Sequence, residues 1–321
     1  MAAHWPGATA DELAALAALG PHGPWRLQGH DLELTNLDKV LSPARGDVPA
    51  VTKRDLIAYL ATIAPALMPW FAERPLNVQR FPDGVERPGF WQKAVPSHAP
   101  EWLARWHNTM PRSSGDVEWY VVPDGAASLA WLGNAGVVEL HPWTSTAARP
   151  AEPTWALIDI DPGERTTFAE VVVLAHLYEV ALAQMDLIAR PKVTGKRGVQ
   201  IWVPVRPGYT YDETRDWVGK LSKVVGAVVP DLVSWAWRKE DRHGLARLDY
   251  TQNAPHKTLV GPYSPRPSLG LPVSVPLTWE ELHDPALTAD RWPLRTVVDR
   301  YLSVGDPFAA LLGVEQDLPV L

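Results

Sequence analysis

The apolar positions along the chain fall into several stretches with helical spacing. This spacing predicts helices over residues 9–20, from Thr52 toward Trp70, from Thr167 to about Met185, over 212–229, near 278–283 and over 294–302. Two of the starts carry a capping box, Thr9 with Glu12 and Thr167 with Glu170, in which a threonine precedes a glutamate by three residues. Pro65 is expected to kink or restart the second helix, because proline removes a backbone donor.

Short apolar runs between these helices predict strands over 76–81, 118–122, 137–140, 155–160, 199–205 and 245–250. Residues 20–29 contain Pro21, Gly23 and Pro24 and predict a loop, so residues 1–30 are interpreted as an N-terminal appendage with one short helix. Strands and helices alternate irregularly along the chain. This order favours an α+β fold over a doubly wound parallel sheet.

The composition excludes several classes of protein. The chain of 321 residues contains no cysteine, which rules out a disulfide framework and a thiolate metal site. It has no apolar run long enough to span a bilayer and no secretory signal pattern at its N-terminus. A cytoplasmic protein without a membrane partner is therefore expected.

The charge distribution modifies this picture. A net charge of -7 argues against a histone-like DNA binder. The basic residues are nevertheless clustered, with Lys192, Lys196, Arg197 and Arg206 in one group and Arg238, Lys239, Arg242 and Arg247 in another. A local groove for an anionic ligand is compatible with this pattern. The loops 108–117 and 234–247 are candidates for contact with a template strand. Most of the 16 Trp are expected in the core, although some could stack on bases.

Asp159 and Asp161 form the sharpest local feature. They lie two residues apart at the end of the apolar strand WALIDI, so both carboxylates should face one side of the sheet. Carboxylate oxygens are the ligands that Mg²⁺ and Mn²⁺ prefer. The alternative is that the pair caps the turn at Pro162 and Gly163.

Asp249 is the third acidic candidate, because the segment ARLDY places it late in another predicted strand. Three carboxylates around two cations are a recurrent device for nucleotidyl transfer. The alternative is an ion pair of Asp249 with Arg247 or Arg242.

The segment from Lys192 to Gln200 predicts a basic glycine turn before the strand IWVPV. Thr194, Lys196 and Arg197 could donate hydrogen bonds to a triphosphate, and the glycines would let backbone N–H groups approach it. The spacing is not that of a Walker A loop. A plain surface hairpin turn is the alternative.

Three further residues have a functional and a structural interpretation. His141 follows the strand VVEL, and a lone histidine is more often structural than catalytic. Phe90 and Trp91 could stack on a base, or they could be ordinary core aromatics.

The order of these segments carries more information than each segment alone. It comprises LTNLDKVLSP (34–43), TKRDL (52–56), RPLNVQRFPDG (74–84), GFWQKAVP (89–96), LAWLGNAGVVELH (129–141), LIDIDPGE (157–164), TGKRGVQIWVPV (194–205) and LDYTQNAPHKTLVGPYSPRP (248–267). From about residue 30 to about residue 300 the chain resembles the polymerase domain of bacterial ATP-dependent ligase D, of the archaeo-eukaryotic primase superfamily, in a stand-alone form. The resemblance implies a primase-polymerase fold with a central, mostly antiparallel sheet flanked by helices and a smaller N-terminal α/β module.

The resemblance also implies boundaries and roles. The catalytic domain would span 31–305, with an N-terminal module to about 150, a catalytic core from about 151, and a tail over 306–321. Asp159, Asp161 and Asp249 match the metal-binding, catalytic carboxylates. The residues that match nucleotide-binding positions are Phe90, Trp91, His141, Thr194, Lys196, Arg197, Gln200, Gln252 and Arg266. Asn36, Lys39 and Lys53 match a cluster that binds the 5′-phosphate of a DNA end.

One departure from the family pattern concerns the second motif. Gln200 stands where the family has a histidine near the triphosphate. Glutamine keeps a hydrogen-bond donor but cannot carry a positive charge. The family also has two adjacent basic residues before the aromatic pair Phe90 and Trp91. In this chain only Arg80 is basic, and Gln79 stands beside it.

The expected function is extension of primer 3′-hydroxyls at DNA gaps or ends in repair such as non-homologous end joining. Two Mn²⁺ or Mg²⁺ ions per active site, a preference for ribonucleotides, a Ku-like partner, a separate DNA ligase and a place at the nucleoid are implied with it. The alternatives are a weakened module that binds or bridges 5′-phosphorylated ends, a primase that starts chains de novo, and an unrelated two-metal nuclease or phosphatase.

Overall fold

The computed structural model of the protein describes residues 5–110, 117–257 and 259–321. Residues 111–116 of the loop 108–117 lie outside the described residues. The helices of the described residues are α1 (Ala10–Ala18), α2 (Lys53–Thr62), α3 (Ala64–Phe71), α4 (Ala126–Asn134), α5 (Phe168–Gln184), α6 (Tyr211–Val228), α7 (Trp279–Leu282) and α8 (Leu294–Val304). The strands are β1 (Gly23–Leu27), β2 (His30–Leu34), β3 (Val40–Ser42), β4 (Val51–Thr52), β5 (Leu76–Arg80), β6 (Phe90–Gln92), β7 (Arg105–His107), β8 (Trp119–Val121), β9 (Val137–Pro142), β10 (Ser145–Thr146), β11 (Arg149–Pro153), β12 (Trp155–Asp161), β13 (Arg190–Val193), β14 (Val199–Pro204) and β15 (Arg247–Leu248).

The helix starts follow the predicted capping chemistry. Thr9 and Thr167 each accept a hydrogen bond from the backbone of the glutamate three residues later, and each glutamate caps in return. These bonds satisfy backbone donors that an α-helix leaves open at its first turn. The predicted restart at Pro65 is confirmed, because α2 ends at Thr62 and α3 begins with Pro65 in its first turn, where the missing N–H costs nothing.

The loop predicted over residues 20–29 is wrong. Residues Gly23–Leu34 form the antiparallel hairpin β1–β2, which turns at Gln28 and Gly29 with φ of 48° and 85°. Its buried residues alternate with exposed ones, because Trp25 and Leu27 point inward while Pro24 and Arg26 point outward. The period-two alternation outweighed the prolines and glycines that suggested a loop.

The strand predicted over 245–250 is also too long. Only Arg247–Leu248 pair with β12, and Asp249 lies after the strand, where it caps a 3₁₀ turn over Tyr250–Gln252. The Asp249 side chain accepts a hydrogen bond from the Thr251 backbone, which bends the chain out of the sheet.

The chain divides into two compact units. Unit 1 comprises Met1–Trp143, Val260–Val273 and Trp292–Gly305, and unit 2 comprises Thr144–Leu259, Ser274–Arg291 and Asp306–Leu321. The segment predicted as an appendage thus belongs to unit 1, and the segment predicted as a tail belongs to unit 2. The predicted boundaries near 30, 150 and 305 stay predictions.

Each unit has its own antiparallel sheet. In unit 1 the order is β6-β5-β9, and α2 packs against α4 beside it. In unit 2 the order is β13-β14-β12-β15, with α5 and α6 packed on β12. Strands β12 and β14 are almost fully buried, and in β14 all six residues of the sequence VQIWVP are buried. The predicted α+β class with mostly antiparallel sheets is confirmed. None of the described helices is long and apolar enough to cross a bilayer.

Candidate active site

One face of the unit 2 sheet carries a row of polar side chains in its centre. Lys192 of β13 is the cross-strand partner of Gln200 in β14, and Gln200 is the partner of Asp159 in β12. Direct partners in an antiparallel sheet point to the same side. Gln200 Nε2 donates to Asp159 Oδ1 at 3.0 Å, and the buried Lys192 Nζ donates to Ser274 Oγ at 2.6 Å.

The other two carboxylates lie close to Asp159, where strand β12 ends. Asp161, two residues after Asp159, pairs with Arg247 across the β12–β15 ladder. The Asp249 backbone N–H donates to the Asp159 carbonyl at 2.8 Å, which holds Asp249 beside β12 although its own strand has ended. The three predicted metal ligands are thus brought together.

The pKa values show how these carboxylates influence one another. Burial, followed by the charges of Asp161 and Asp249, raises the pKa of Asp159 to about 7 against the opposing effects of Gln200 and Lys192. Burial also raises the pKa of Asp161, with Arg242 opposing it. For Asp249 burial acts upward too, but the Thr251 hydrogen bond and the Arg247 charge leave its pKa below the usual value.

The ion pairs considered as an alternative are present together with the cluster. Arg247 Nε lies 3.2 Å from Asp249 Oδ1, and Arg242 Nη1 lies 3.7 Å from Asp161 Oδ2. They leave Asp159 without an arginine partner among the described residues.

The donor set fits a hard divalent cation. It consists of carboxylate oxygens only, which Mg²⁺ and Mn²⁺ prefer, and their mutual repulsion would be relieved by a bound cation. The buried Gln200 Oε1 adds an oxygen that has no hydrogen-bond partner within the described part of the chain.

The β13–β14 turn is closed by its own side chain. Thr194 N donates to the Gly198 carbonyl at 3.0 Å, and Gly198 N donates to Thr194 Oγ1 at 3.1 Å. Gly195 has φ of 74°, a conformation that glycine adopts without strain. Lys196 and Arg197 are exposed, and Arg197 Nη2 donates to the Gly163 carbonyl at 2.5 Å. The predicted basic turn is therefore tied to the loop that follows Asp161.

A cavity of about 700 Å³ opens beside Asp161. We call it the basic cleft, and its ionisable lining residues are Asp161, Glu164, Arg165, Arg197, Lys239, Glu240, Arg242 and His243. A Cβ on Gly163 would lie 2.2 Å from the Gly244 carbonyl, so the floor of the cleft requires glycine there. Four of these side chains are Arg or Lys and three are Asp or Glu, so the cleft places basic groups next to the carboxylates.

Several members of this site carry no motif in the sequence. Arg165 acquires its position only from loop packing, and Lys192, predicted as part of the basic turn, is placed beside Gln200 by strand register. Trp237 was one tryptophan among many, yet its side chain is 73% exposed and the Arg247 guanidinium lies 4.9 Å from its ring centre. Gln252, predicted to bind nucleotide, donates from Nε2 to Asp249 Oδ2 at 3.0 Å in this structure.

The three-stranded sheet of unit 1 also carries polar side chains on one face. Trp91, Gln79 and Glu139 form a row across β6, β5 and β9, and His141 follows two residues after Glu139 on the same side. The Trp91 ring meets the His141 ring edge-on with centres 4.9 Å apart. Phe90 directly precedes Trp91 in β6 and therefore points to the opposite face.

Glu139 belongs to this face as well, although no motif in the sequence marks it. It is 2% exposed, and its Oε2 lies 3.0 Å from His141 Nε2. Its Oε1 lies 2.9 Å from Arg266 Nε. Glu139 thus joins two predicted nucleotide-binding residues. Its only sequence signal was a charged residue inside an apolar strand.

The predicted 5′-phosphate cluster is also assembled within unit 1. Asn36 adopts a left-handed conformation with φ of 54°, and Lys39 N donates to its carbonyl. Lys53 N donates to the Lys39 carbonyl, and Lys53 Nζ donates to the Thr35 carbonyl at 2.5 Å. Burial, followed by the charges of Lys39 and Arg80, lowers the pKa of Lys53 to about 8. The ligands of all these groups stay predictions.

Comparison with known proteins identifies the family. The model of the LigD primase-polymerase domain matches residues 52–308. The polymerase domain from Mycobacterium tuberculosis ligase D in complex with DNA superposes with a TM-score of 0.78 and 31% identity, over 87% of this chain and 97% of that one. The multifunctional non-homologous end joining protein LigD of Mycolicibacterium smegmatis is 31% identical, and the match covers 92% of this chain and 38% of that protein. The bifunctional non-homologous end joining protein LigD of Bacillus subtilis is also 31% identical, and the match covers 90% of this chain and 45% of that protein. The chain thus spans less than half of these curated relatives, and it belongs to the LigD primase-polymerase domain family.

Proposed function

We propose that this chain extends primer 3′-hydroxyls at DNA gaps or broken ends, with a metal-assisted active site in unit 2. The observation that carries the proposal is the cluster of Asp159, Asp161 and Asp249 beside the basic cleft. The carboxylates offer oxygen ligands to divalent cations. The basic cleft offers the positive charge that a triphosphate or a DNA backbone requires.

Asp159 and Asp161 would each hold both of two cations, Mn²⁺ or Mg²⁺, and Asp249 would hold one of them. Bound cations of this kind activate a 3′-hydroxyl and stabilise the charge of the triphosphate and the leaving group. The ion pairs with Arg242 and Arg247 hold Asp161 and Asp249 in place before any ligand binds.

The remaining residues of unit 2 bind and orient the substrate in this proposal. The Thr194 hydroxyl and the Lys196 and Arg197 side chains donate to triphosphate oxygens, because charge-assisted hydrogen bonds to phosphate are strong. Gln200 orients Asp159 through the bond from its Nε2. The exposed Trp237 offers a stacking surface for a nucleic-acid base.

Unit 1 supplies two further sites in the proposal. Trp91, His141 and Arg266 bind a nucleotide, with Glu139 holding the last two in position. Asn36, Lys39 and Lys53 bind the 5′-phosphate of the DNA end. A preference for ribonucleotides and Mn²⁺, cooperation with a Ku-like protein and a separate DNA ligase, and a place at the nucleoid belong to the same proposal.

Primer extension on a gapped duplex with a 5′-phosphate tests this function. We expect templated addition that requires Mn²⁺ or Mg²⁺, stops on chelation, and is faster with ribonucleotides than with deoxynucleotides. Products on an unprimed template would instead indicate de novo priming. Tight binding of the phosphorylated end with no addition under any metal would overturn the enzyme and favour an end-bridging module.

The end-bridging module is the second candidate function, and Gln200 is the observation that favours it. We expect Gln200→His to raise the rate of nucleotide addition by about tenfold, because a protonated imidazole adds positive charge beside the triphosphate while keeping a donor toward Asp159. Gln200→Leu, which removes that donor, should lower the rate. Steady-state kinetics with saturating primer measures both. Equal rates in all three proteins would show that position 200 has no role in addition.

Binding of the 5′-phosphate is expected to depend on pH through Lys53. A lysine is charged below its pKa, so the charge on Lys53 is present at pH 7 and lost as the pH rises through about 8. Affinity for a 5′-phosphorylated gap should therefore fall by up to about tenfold between pH 7 and pH 9. Fluorescence anisotropy at constant ionic strength measures the change.

Two controls isolate Lys53 in that titration. Lys53→Arg keeps its charge at pH 9 and should flatten the dependence. A gap without the 5′-phosphate should show a much weaker dependence in the unaltered protein. An equally steep loss of affinity in Lys53→Arg would assign the pH dependence to another group.

A further inference from the structure

A group of metal-ligand side chains lies in unit 2 outside the carboxylate cluster. It consists of His176 and Glu179 on α5 and His283 directly after α7. One ligand atom from each of the three lies within 4.8 Å of the others. The spacing of three residues places His176 and Glu179 on one face of α5, and the end of α7 brings His283 to them.

The geometry of the group is close to that of a metal site. His176 Nδ1 lies 2.9 Å from Glu179 Oε2, and His283 Nε2 lies 3.7 Å from the same oxygen. Ligands bound at about 2.0–2.1 Å in a tetrahedral site are about 3.4 Å apart, a value between these two distances. The separations of the ligand atoms are therefore compatible with one shared ion once the imidazole rings turn toward it.

The two imidazole rings are stacked, with centres 4.0 Å apart and planes 22° from parallel. The ring planes are nearly parallel, so ligation of one ion by both rings requires one ring to turn out of the stack. His283 is 60% exposed and has room to do so. Metal ligation uses the unprotonated nitrogen of each ring.

We propose that His176, Glu179 and His283 form a binding site for one transition-metal ion, Zn²⁺ in the first place. Two imidazoles and a carboxylate suit Zn²⁺, Ni²⁺, Co²⁺ and Cu²⁺, whereas Mg²⁺ and Mn²⁺ prefer the oxygen-only set at Asp159. His283 is 60% exposed, so water completes the coordination. The proposal is independent of the proposed function.

The ion would join two elements that are distant in sequence. Helix α7 has only four residues and cannot be stable alone, and it is held by the Thr278–Glu281 capping box and by the Trp279 indole N–H, which donates to the Ala189 carbonyl. A metal shared between α5 and His283 would fasten α7 further. The site is therefore structural in kind.

Isothermal titration of tag-free protein with Zn²⁺ tests the site, with millimolar Mg²⁺ present to occupy the carboxylate cluster. We expect one Zn²⁺ per chain, a higher Tm with Zn²⁺, and at least about tenfold weaker binding in His283→Gln and in Glu179→Gln. The matched control is His22→Gln, which alters an exposed histidine elsewhere and should bind like the unaltered protein.

Electron paramagnetic resonance with Cu²⁺ supplies a signature that carboxylates cannot give. Coupling to two imidazole nitrogens is expected in the unaltered protein, and coupling to one in His283→Gln. The proposal would be overturned if His283→Gln changed neither the Zn²⁺ affinity nor the nitrogen coupling of Cu²⁺. It would also be overturned if the unaltered protein bound no Zn²⁺.

Discussion

The double variant Asp159→Ala, Asp161→Ala is expected to lose templated nucleotide addition by at least about a thousandfold, because it removes two of the three carboxylates that would hold the cations. Binding of the 5′-phosphorylated end should survive, since Asn36, Lys39 and Lys53 are untouched. Primer extension and fluorescence anisotropy on the same gapped duplex measure the two properties separately. Addition at the normal rate would show that these carboxylates do not hold the catalytic ions.

The fold of this variant should also survive, for an electrostatic reason. Asp159 has a raised pKa, so its ionised form is less favourable in the folded chain than in the unfolded one. An acid with a raised pKa favours folding only at low pH, and above pH 7 its removal takes away a destabilising charge. Arg242 loses Asp161 but keeps its bonds to the carbonyls of Ala236 and Trp237.

The Tm above pH 7 is therefore expected to change little in the double variant, because removal of the buried charge offsets the loss of the acceptor of the Gln200 Nε2 bond. Asp231→Ala, at an exposed aspartate away from the cluster, is the matched control and should extend primers normally. A strongly lowered Tm in the double variant would make its loss of activity uninformative, and single Asp→Asn variants would then replace it.

Glu139→Gln is expected to give the second large effect, on both stability and nucleotide binding. The substitution keeps the shape of the side chain but removes the negative charge that lies 2.9 Å from Nε of Arg266, a side chain that is 13% exposed. Removing one partner of a buried ion pair costs about 3–5 kcal/mol of the free energy of unfolding. His141 loses its charged neighbour at the same time. Urea denaturation measures the stability.

The functional part of this prediction separates affinity from turnover. Because Glu139 positions His141 and Arg266 without touching the reacting atoms, KM for the nucleotide should rise by about tenfold or more while kcat changes less. The control Asp31→Asn breaks the exposed Arg26–Asp31 pair and should change stability by at most about 1 kcal/mol. Lower stability with an unchanged KM would give Glu139 a purely structural role.

Part of this molecule was predictable because the signals are local. Capping boxes at Thr9 and Thr167, the restart at Pro65 and the apolar run that ends at Asp161 depend on neighbours within a few residues. The α+β class followed from the order of such elements. The hairpin at Gly23–Leu34 was equally local, but its alternation was concealed by prolines and glycines.

The candidate residues were found by the order of motifs, whereas their arrangement required the fold. Asp159 and Asp161 were recognisable as a pair from the period of a strand. Their approach to Asp249 depends on a hydrogen bond between backbones ninety residues apart, from Asp249 N to the Asp159 carbonyl. No periodicity along the chain encodes such a contact.

The sequence by itself therefore determined most of the helices, several of the strands, the fold class, the family and the identity of the metal-binding candidates. Only the tertiary structure placed Lys192 beside Gln200 and Asp159, buried Glu139 between His141 and Arg266, and brought His283 to α5. The physical reason is that helix and strand periodicity act over a few residues, whereas strand register, burial and electrostatic coupling depend on distances in space that the chain sets only when it folds.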